Sequence, residues 1–160
     1  MPVYTEMKKI QINEDFCVNC GLCKVYCTVE HSQTKDIIKA FKRENPAPVP
    51  RVRTESNGDI SFAVLCQHCA EPWCVYSCLT GAMHKDLESN AVVVDEDKCV
   101  GCWTCIISCP YGILTRDGDH RHVVKCDLCP DREIPACVDN CPNEALTLVM
   151  DIEEVCQTVI

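Results

Sequence analysis

Apolar and polar positions alternate along this chain only in short stretches, and a few short elements follow from them. Lys9–Ile12 alternates and predicts a strand, as do the β-branched Ala91–Val94, the pair Val123–Val124, and Ala145–Met150. Ser32–Glu44 predicts a helix, with Ile37, Ile38 and Phe41 apolar and Lys35, Lys39, Lys42 and Arg43 basic. Pro46, Pro48 and Pro50 then predict an extended arm as far as Arg51 and Arg53, and Asn57-Gly58 predicts a turn. The longest apolar runs, Phe62–Cys66 and Ile106–Ile107, are too short to span a bilayer.

Cysteine is the repeated mark in this pattern. The chain has 17 cysteines in 160 residues, and all but Cys156 fall into four runs. Run one is Cys17, Cys20, Cys23 and Cys27, spaced C-x2-C-x2-C-x3-C. Run two is Cys66, Cys69, Cys74 and Cys78, spaced C-x2-C-x4-C-x3-C. Run three, Cys99, Cys102, Cys105 and Cys109, repeats the spacing of run one and is followed by Pro110. Run four is Cys126, Cys129, Cys137 and Cys141, spaced C-x2-C-x7-C-x3-C and followed by Pro142. A three-residue gap precedes the last cysteine of every run. It is about one helical turn, so each run is expected to end in a short helix.

Met1–Glu14 has neither an apolar core behind a charged segment nor a twin-arginine pair. The expectation is therefore a cytoplasmic protein on the reducing side of a membrane, where clustered cysteines are metal ligands rather than disulfides. The formal charge of −9 excludes nucleic acid as a partner. Four oxidised cubane clusters with their thiolates would add roughly −8 to it.

Run three matches the bacterial iron–sulfur pattern residue for residue, including its proline, and run one matches except that Thr28 replaces the proline. Three cysteines at this spacing wrap one [4Fe–4S] cluster, and the fourth reaches a neighbouring cluster. Zinc is the alternative for runs two and four taken alone. Runs one and three suit it poorly, because a third cysteine only three residues on is hard to fit into a tetrahedral site.

Spacing also bears on how the runs pair. Runs two and three, joined through Gly81–Met83 and Val92–Val94, form a self-contained unit. Run one has a strand before it and run four a strand after it, so these two can close a second unit around the first. The clusters are then ligated crosswise. Cys17, Cys20, Cys23 and Cys141 hold cluster 1, and Cys66, Cys69, Cys74 and Cys109 hold cluster 2. Cys99, Cys102, Cys105 and Cys78 hold cluster 3, and Cys126, Cys129, Cys137 and Cys27 hold cluster 4. Pairing run one with two and run three with four is the other possibility, but it leaves the long Thr28–Ala63 insertion inside a tight unit. The expected fold class is α+β: two nested bacterial-ferredoxin-like units, short antiparallel strands and short helices wrapped around four cubane clusters. The expected organisation is a single domain over 1–160. Its outer unit comprises about 1–31 and 120–150, its inserted unit about 60–119, its helix and proline arm 32–53, and its C-terminal tail 151–160.

Run two, Cys66-Gln67-His68-Cys69-Ala70-Glu71-Pro72-Trp73-Cys74, and run three, Lys98-Cys99-Val100-Gly101-Cys102-Trp103-Thr104-Cys105, resemble the four-cluster iron–sulfur subunits of anaerobic oxidoreductases such as dimethyl sulfoxide reductase and formate dehydrogenase. Glu30–Lys35, Ala40–Arg53 and Cys126-Asp127-Leu128-Cys129 look closest to the CooF type, which accompanies carbon monoxide dehydrogenase. The resemblance implies the same crosswise pairing and a non-catalytic, cytoplasmic electron-transfer subunit. Its partner would be carbon monoxide dehydrogenase, or else an aldehyde oxidoreductase, formate dehydrogenase or hydrogenase. The downstream acceptor would be a flavin-dependent NAD(P) oxidoreductase, a hydrogenase or a ferredoxin. A free polyferredoxin and a zinc-bound interaction module are the readings from other classes. No catalytic constellation, phosphate loop or flavin signature accompanies the runs.

Among the other residues, His68 is expected to donate an ordinary hydrogen bond, and Trp73 and Trp103 to shield clusters from water. Lys98, Arg121 and Lys125 bring positive charge near runs three and four, or else are solvated. Cys156 is expected to be a free thiol. His31, His84, His120 and His122 have no metal spacing of their own. The helix and proline arm would either dock a catalytic subunit or cover a cluster of the same molecule.

Overall fold

A computed structural model describes residues 8–87 and 89–150. Strand β1 (Lys9–Ile12) buries Ile10, and the following turn is capped by the Asn13 side chain. Helix α1 (Leu22–Glu30) carries the last two cysteines of run one. Its last turn is closed by side chains: Thr28 Oγ1 donates to the Lys24 carbonyl at 2.8 Å, and Ser32 Oγ to that of Val29 at 2.7 Å. Helix α2 (Ile37–Lys42) leads into the proline arm. Strands β2 (Val52–Asn57) and β3 (Ile60–Leu65) form a hairpin whose two-residue loop starts at Gly58, φ +65°. Then follow α3 (Trp73–Tyr76), β4 (Met83–Lys85), β5 (Val92–Val94) and α4 (Thr104–Ser108). The remaining elements are β6 (Thr115–Arg116), β7 (Val123–Val124), α5 (Ala136–Asp139) and β8 (Leu146–Val149).

The strands make four two-stranded antiparallel sheets, β1–β8, β2–β3, β4–β5 and β6–β7. This is an α+β, ferredoxin-like fold. The pairing of β1 with β8, Lys9 opposite Val149 and Ile12 opposite Leu146, joins the two ends of the described residues. Helix α1 packs on α5, and α3 on α4. The first and last runs are thus brought together, and so are the two middle ones. The core contains Ile10, Val52, Leu65, Met83 and Val92, interleaved with the buried cysteines. Apolar burial and ligand presentation therefore share one interior.

Each run does have a short helix against its last cysteines, and β1, β5, β7 and β8 fall where the sequence predicts them. The helix expected over Ser32–Glu44 is only α2. Lys35 takes a left-handed φ of +51°, which breaks the helical path, and Asp36 restarts it by accepting the Lys39 N–H at 2.9 Å. The apolar face expected on this helix points outward: Ile37, Ile38 and Phe41 are about half exposed, and Ala40 packs inward instead. Phe41, Pro48 and Pro50 line a groove with Cys20, Lys24 and Thr28 of run one, so the arm lies along α1. The Asn57-Gly58 turn falls where the sequence predicts it, but the strands it joins, β2 and β3, were not expected.

Candidate functional site: four groups of cysteines

The sixteen described cysteines form no disulfides with one another, and three of each run gather with the fourth of another. Cys17, Cys20 and Cys23 line one apolar pocket together with Cys141. Cys99, Cys102 and Cys105 line another with Cys78. The Cys74 thiol feels those of Cys66, Cys109 and Cys69. The Cys137 thiol feels those of Cys126, Cys27 and Cys129.

Reach between the groups gives them an order. Cys137 also feels Cys23, Cys126 feels Cys66, and Cys105 feels Cys74. The Cys141 group thus neighbours the Cys27 group, which neighbours the Cys109 group, which neighbours the Cys78 group. Exposure follows the same order. All four cysteines of the Cys27 group are buried, as are Cys66 and Cys74 of the Cys109 group, whereas the two end groups each have one exposed cysteine, Cys20 and Cys102.

The backbone carries a repeat that spacing alone does not express. In all four runs the residue before the second cysteine is left-handed: Asn19 (φ +53°), His68 (+46°), Gly101 (+65°) and Leu128 (+64°). Such turns aim successive N–H groups into one concavity, a common way to hold negative charge. The N–H groups of Lys24, Leu128, Ala136 and Thr104 act on the sulfurs of Cys23, Cys126, Cys129 and Cys102. Two of the fourth cysteines receive donors from outside their runs, Arg51 N–H to Cys27 Sγ at 3.2 Å and Met83 N–H to Cys78 Sγ at 3.3 Å.

Burial pushes the thiols of Cys23, Cys74, Cys105 and Cys129 up to about 11 and that of Cys126 to about 12, and Cys137 is raised as well. In the exposed end group the N–H and hydroxyl of Thr104 instead hold Cys102 below its ordinary value. Buried thiols gathered in this way are held as thiolates by bound cationic metal. Four sulfurs around one space suit an iron–sulfur cluster or zinc.

The remaining predicted residues divide clearly. Lys98 is exposed and paired with Asp95 at 2.6 Å, and Arg121 is exposed, but Lys125 is buried. Trp103 lies beside Cys99 and Cys102 beneath the Arg116 guanidinium, 4.8 Å from the ring centroid, and shields that pocket. Trp73 does not shield: it is 60% exposed and packs edge-on against Tyr76, because Pro72 starts its one-turn helix with the indole outward. His84 bonds the Ala82 carbonyl, His120 is exposed, and His122 sits between Glu96 and Asp117. Cys156 lies outside the described residues.

One polar network could not be read from spacing. Asp127 accepts from Arg51 and from His31 Nε2, the latter at 3.2 Å, and also from the Cys129 N–H at 3.1 Å. His31 Nδ1 lies 2.8 Å from the Cys27 carbonyl and 3.6 Å from its sulfur. Burial disfavours the His31 cation, but Asp127 and Cys27 outweigh it and raise the pKa to about 9. Asp127, although partly buried, is held well below the carboxylate range by His31 and Arg51. The clue in the sequence was Asp127 itself, an acid between two cysteines.

Residues 59–151 match the family model for the 4Fe-4S dicluster domain, a span that contains runs two, three and four. The B subunit of the anaerobic dimethyl sulfoxide reductase of Escherichia coli is 46% identical, over 84% of this chain and 69% of that subunit. An iron-sulfur protein of Rhodospirillum rubrum is 32% identical, over 93% of this chain and 85% of that one. The putative oxidoreductase AegA of Escherichia coli is 34% identical over 89% of this chain, which spans only 22% of AegA. A solved chain from the active-site complex BamBC of benzoyl coenzyme A reductase superposes with a TM-score of 0.52 at 27% identity, covering 92% of this chain and 82% of that one.

Proposed function

This protein belongs to the 4Fe-4S dicluster domain family, and from that premise we propose that it is the non-catalytic electron relay of an oxidoreductase complex. Its cofactors are four [4Fe–4S] clusters, which supply reversible one-electron transfer when bound. The ligand sets we assign are Cys17, Cys20, Cys23 and Cys141; Cys126, Cys129, Cys137 and Cys27; Cys66, Cys69, Cys74 and Cys109; and Cys99, Cys102, Cys105 and Cys78. The supporting observation is that the thiols gather in these four sets and in that order, from exposed Cys20 to exposed Cys102. On this reading the outer unit comprises about 1–31 and 120–150 and encloses an inserted unit of about 60–119.

The protein's own residues then have simple tasks. Thiolates bind iron, and inward N–H groups orient and neutralise the sulfurs. Phe16 and Val18 at one end, and Val100 and Trp103 at the other, keep water from the end sites while leaving them close to a docked partner. The partner we favour is carbon monoxide dehydrogenase, on the resemblance carried by Glu30–Lys35, Ala40–Arg53 and Cys126–Cys129. The 46% identity to the B subunit of dimethyl sulfoxide reductase favours a second reading, a relay to a reductase of that type. A cytoplasmic setting accompanies both readings; among the described residues no helix is long and apolar enough to cross a membrane.

Optical reduction of the isolated protein tests the proposal. Catalytic amounts of carbon monoxide dehydrogenase with its gas are expected to bleach the clusters. Bleaching only by formate, hydrogen or an aldehyde with its own enzyme would overturn the partner and keep the relay. No bleaching by any of these, together with no co-purifying catalytic subunit, would overturn the relay.

A further inference from the structure

His68 lies between two cysteines of the Cys109 group and is 2% exposed. Its Nδ1 faces the Val92 N–H at 3.1 Å. A backbone N–H can only donate, so Nδ1 must be the unprotonated, accepting nitrogen, and the proton of the neutral ring sits on Nε2. That Nε2 is buried and has no protein acceptor among the described residues. An unmade hydrogen bond at such a donor costs roughly 1–3 kcal/mol. His68 stands in the run between Cys66 and Cys69, two of the thiolates assigned to one cluster.

Val92 holds a second group. Its carbonyl accepts from the ammonium of Lys125, which also donates to the Cys126 carbonyl at 2.6 Å. Lys125 is 4% exposed, and among the described residues its partners are these two carbonyls rather than a carboxylate. Its charge is felt by His68, by Cys74 of the Cys109 group and by Cys126 of the Cys27 group. A buried cation compensated only by carbonyl dipoles is costly unless negative charge lies near it, and here it lies between the two inner thiol groups.

We propose that His68 and Lys125, both anchored on Val92, set the two inner sites at a higher potential than their burial alone would give. His68 donates Nε2–H to a sulfur of the cluster held by Cys66, Cys69, Cys74 and Cys109, while Lys125 places one positive charge between that cluster and the one held by Cys27, Cys126, Cys129 and Cys137. The proposal rests on the ligand sets above. Both interactions strengthen as a cluster gains an electron, so both favour the reduced form. Neither residue gains or loses a proton in this role. They are positioning residues, and the effect is a matching of inner to outer potentials: without it, buried and more negative inner clusters would be a barrier in the middle of the relay.

Redox titration of the purified four-cluster protein, followed by electron paramagnetic resonance, tests this directly. Lys125→Met is expected to shift the reduced-to-oxidised ratio of two clusters by roughly tenfold at fixed potential, equivalent to about 59 mV downward for a one-electron couple. Lys125→Arg is expected to restore it. His68→Leu is expected to shift one cluster only, and His68→Gln, which keeps an acceptor and a donor, to recover most of the shift. Full iron and sulfide with all four potentials unmoved in Lys125→Met and His68→Leu would overturn the proposal and leave the relay intact. Wild-type protein lacking four clusters would overturn the relay first. If Lys125→Met loses its clusters, the His68→Leu and His68→Gln pair carries the test: equal potentials in the two variants overturn the proposal.

Discussion

The two inner cysteine groups differ from the two outer ones in burial, in loop length and in what surrounds them. The outer groups take three cysteines each from runs one and three, with the tight C-x2-C-x2-C spacing, one exposed cysteine and an apolar rim. The inner groups take theirs from runs two and four, whose longer x4 and x7 gaps give the chain enough length to wrap the sulfurs away from solvent. Charged and imidazole side chains stand around the inner groups, Lys125 between them, His68 at one and His31, Arg51 and Asp127 at the other, whereas the outer group of Cys102 has the Thr104 hydroxyl. A tight run suits a site that must reach a partner, and a long run suits a site that must be insulated. Insulation in turn creates an electrostatic problem that buried cations and hydrogen-bond donors offset.

The largest expected effect comes from removing the metal. Anaerobically prepared protein should hold about sixteen iron and sixteen acid-labile sulfide, and chelation should abolish cooperative unfolding in circular dichroism, because the core residues interleave with the ligands. Single ligand changes sharpen the comparison. Cys20→Ala at the exposed end should cost little more than its own cluster, leaving about twelve iron. Cys137→Ala at a buried site should lower total iron further and broaden the melt. Equal losses in the two variants would remove the distinction between inner and outer groups.

Asp127→Asn should come next, destabilising the protein by about 2 kcal/mol in denaturant titration through weakened bonds to His31 and Arg51. The left-handed position before the second cysteine offers a smaller contrast between runs. Gly101→Ala should destabilise by about 1–3 kcal/mol, since a Cβ there would stand 2.8 Å from the Arg121 carbonyl oxygen in a strained backbone. Asn19→Gly at the equivalent place in run one should be neutral within about 1 kcal/mol. Smallest of all, charge reversal at the exposed Lys39, Lys42 and Arg43 should leave stability within about 0.5 kcal/mol. A drop in affinity for the catalytic subunit would assign α2 to docking, and unchanged affinity would leave it as a cover on α1.

The short helices under each run and strands β1, β5, β7 and β8 were legible in the sequence because each depends on a few consecutive residues. Of the β2–β3 hairpin only the Asn57-Gly58 turn was legible: Arg53, Thr54, Glu55 and Ser56 carry no apolar alternation, and the strand exists because six residues of β3 pair with it. Helix α2 was overread because a run of basic and apolar residues at helical spacing says nothing of the left-handed Lys35. Lys125 looked like Lys98 in sequence, one lysine before each of two runs. Only the fold buries the first and solvates the second. The His31–Asp127 contact joins residues 96 apart, and no local pattern encodes it.

Crosswise ligation is the claim on which the inner and outer distinction rests, and one spectroscopic comparison tests it most directly. Electron paramagnetic resonance of reduced Cys27→Ala is compared with that of a triple alanine variant at Cys126, Cys129 and Cys137. The two variants should lose the same cluster signal, although about a hundred residues of sequence separate their changes. Loss of a run-two signal in Cys27→Ala, with the run-four signal intact, would contradict the pairing and the order of sites built on it.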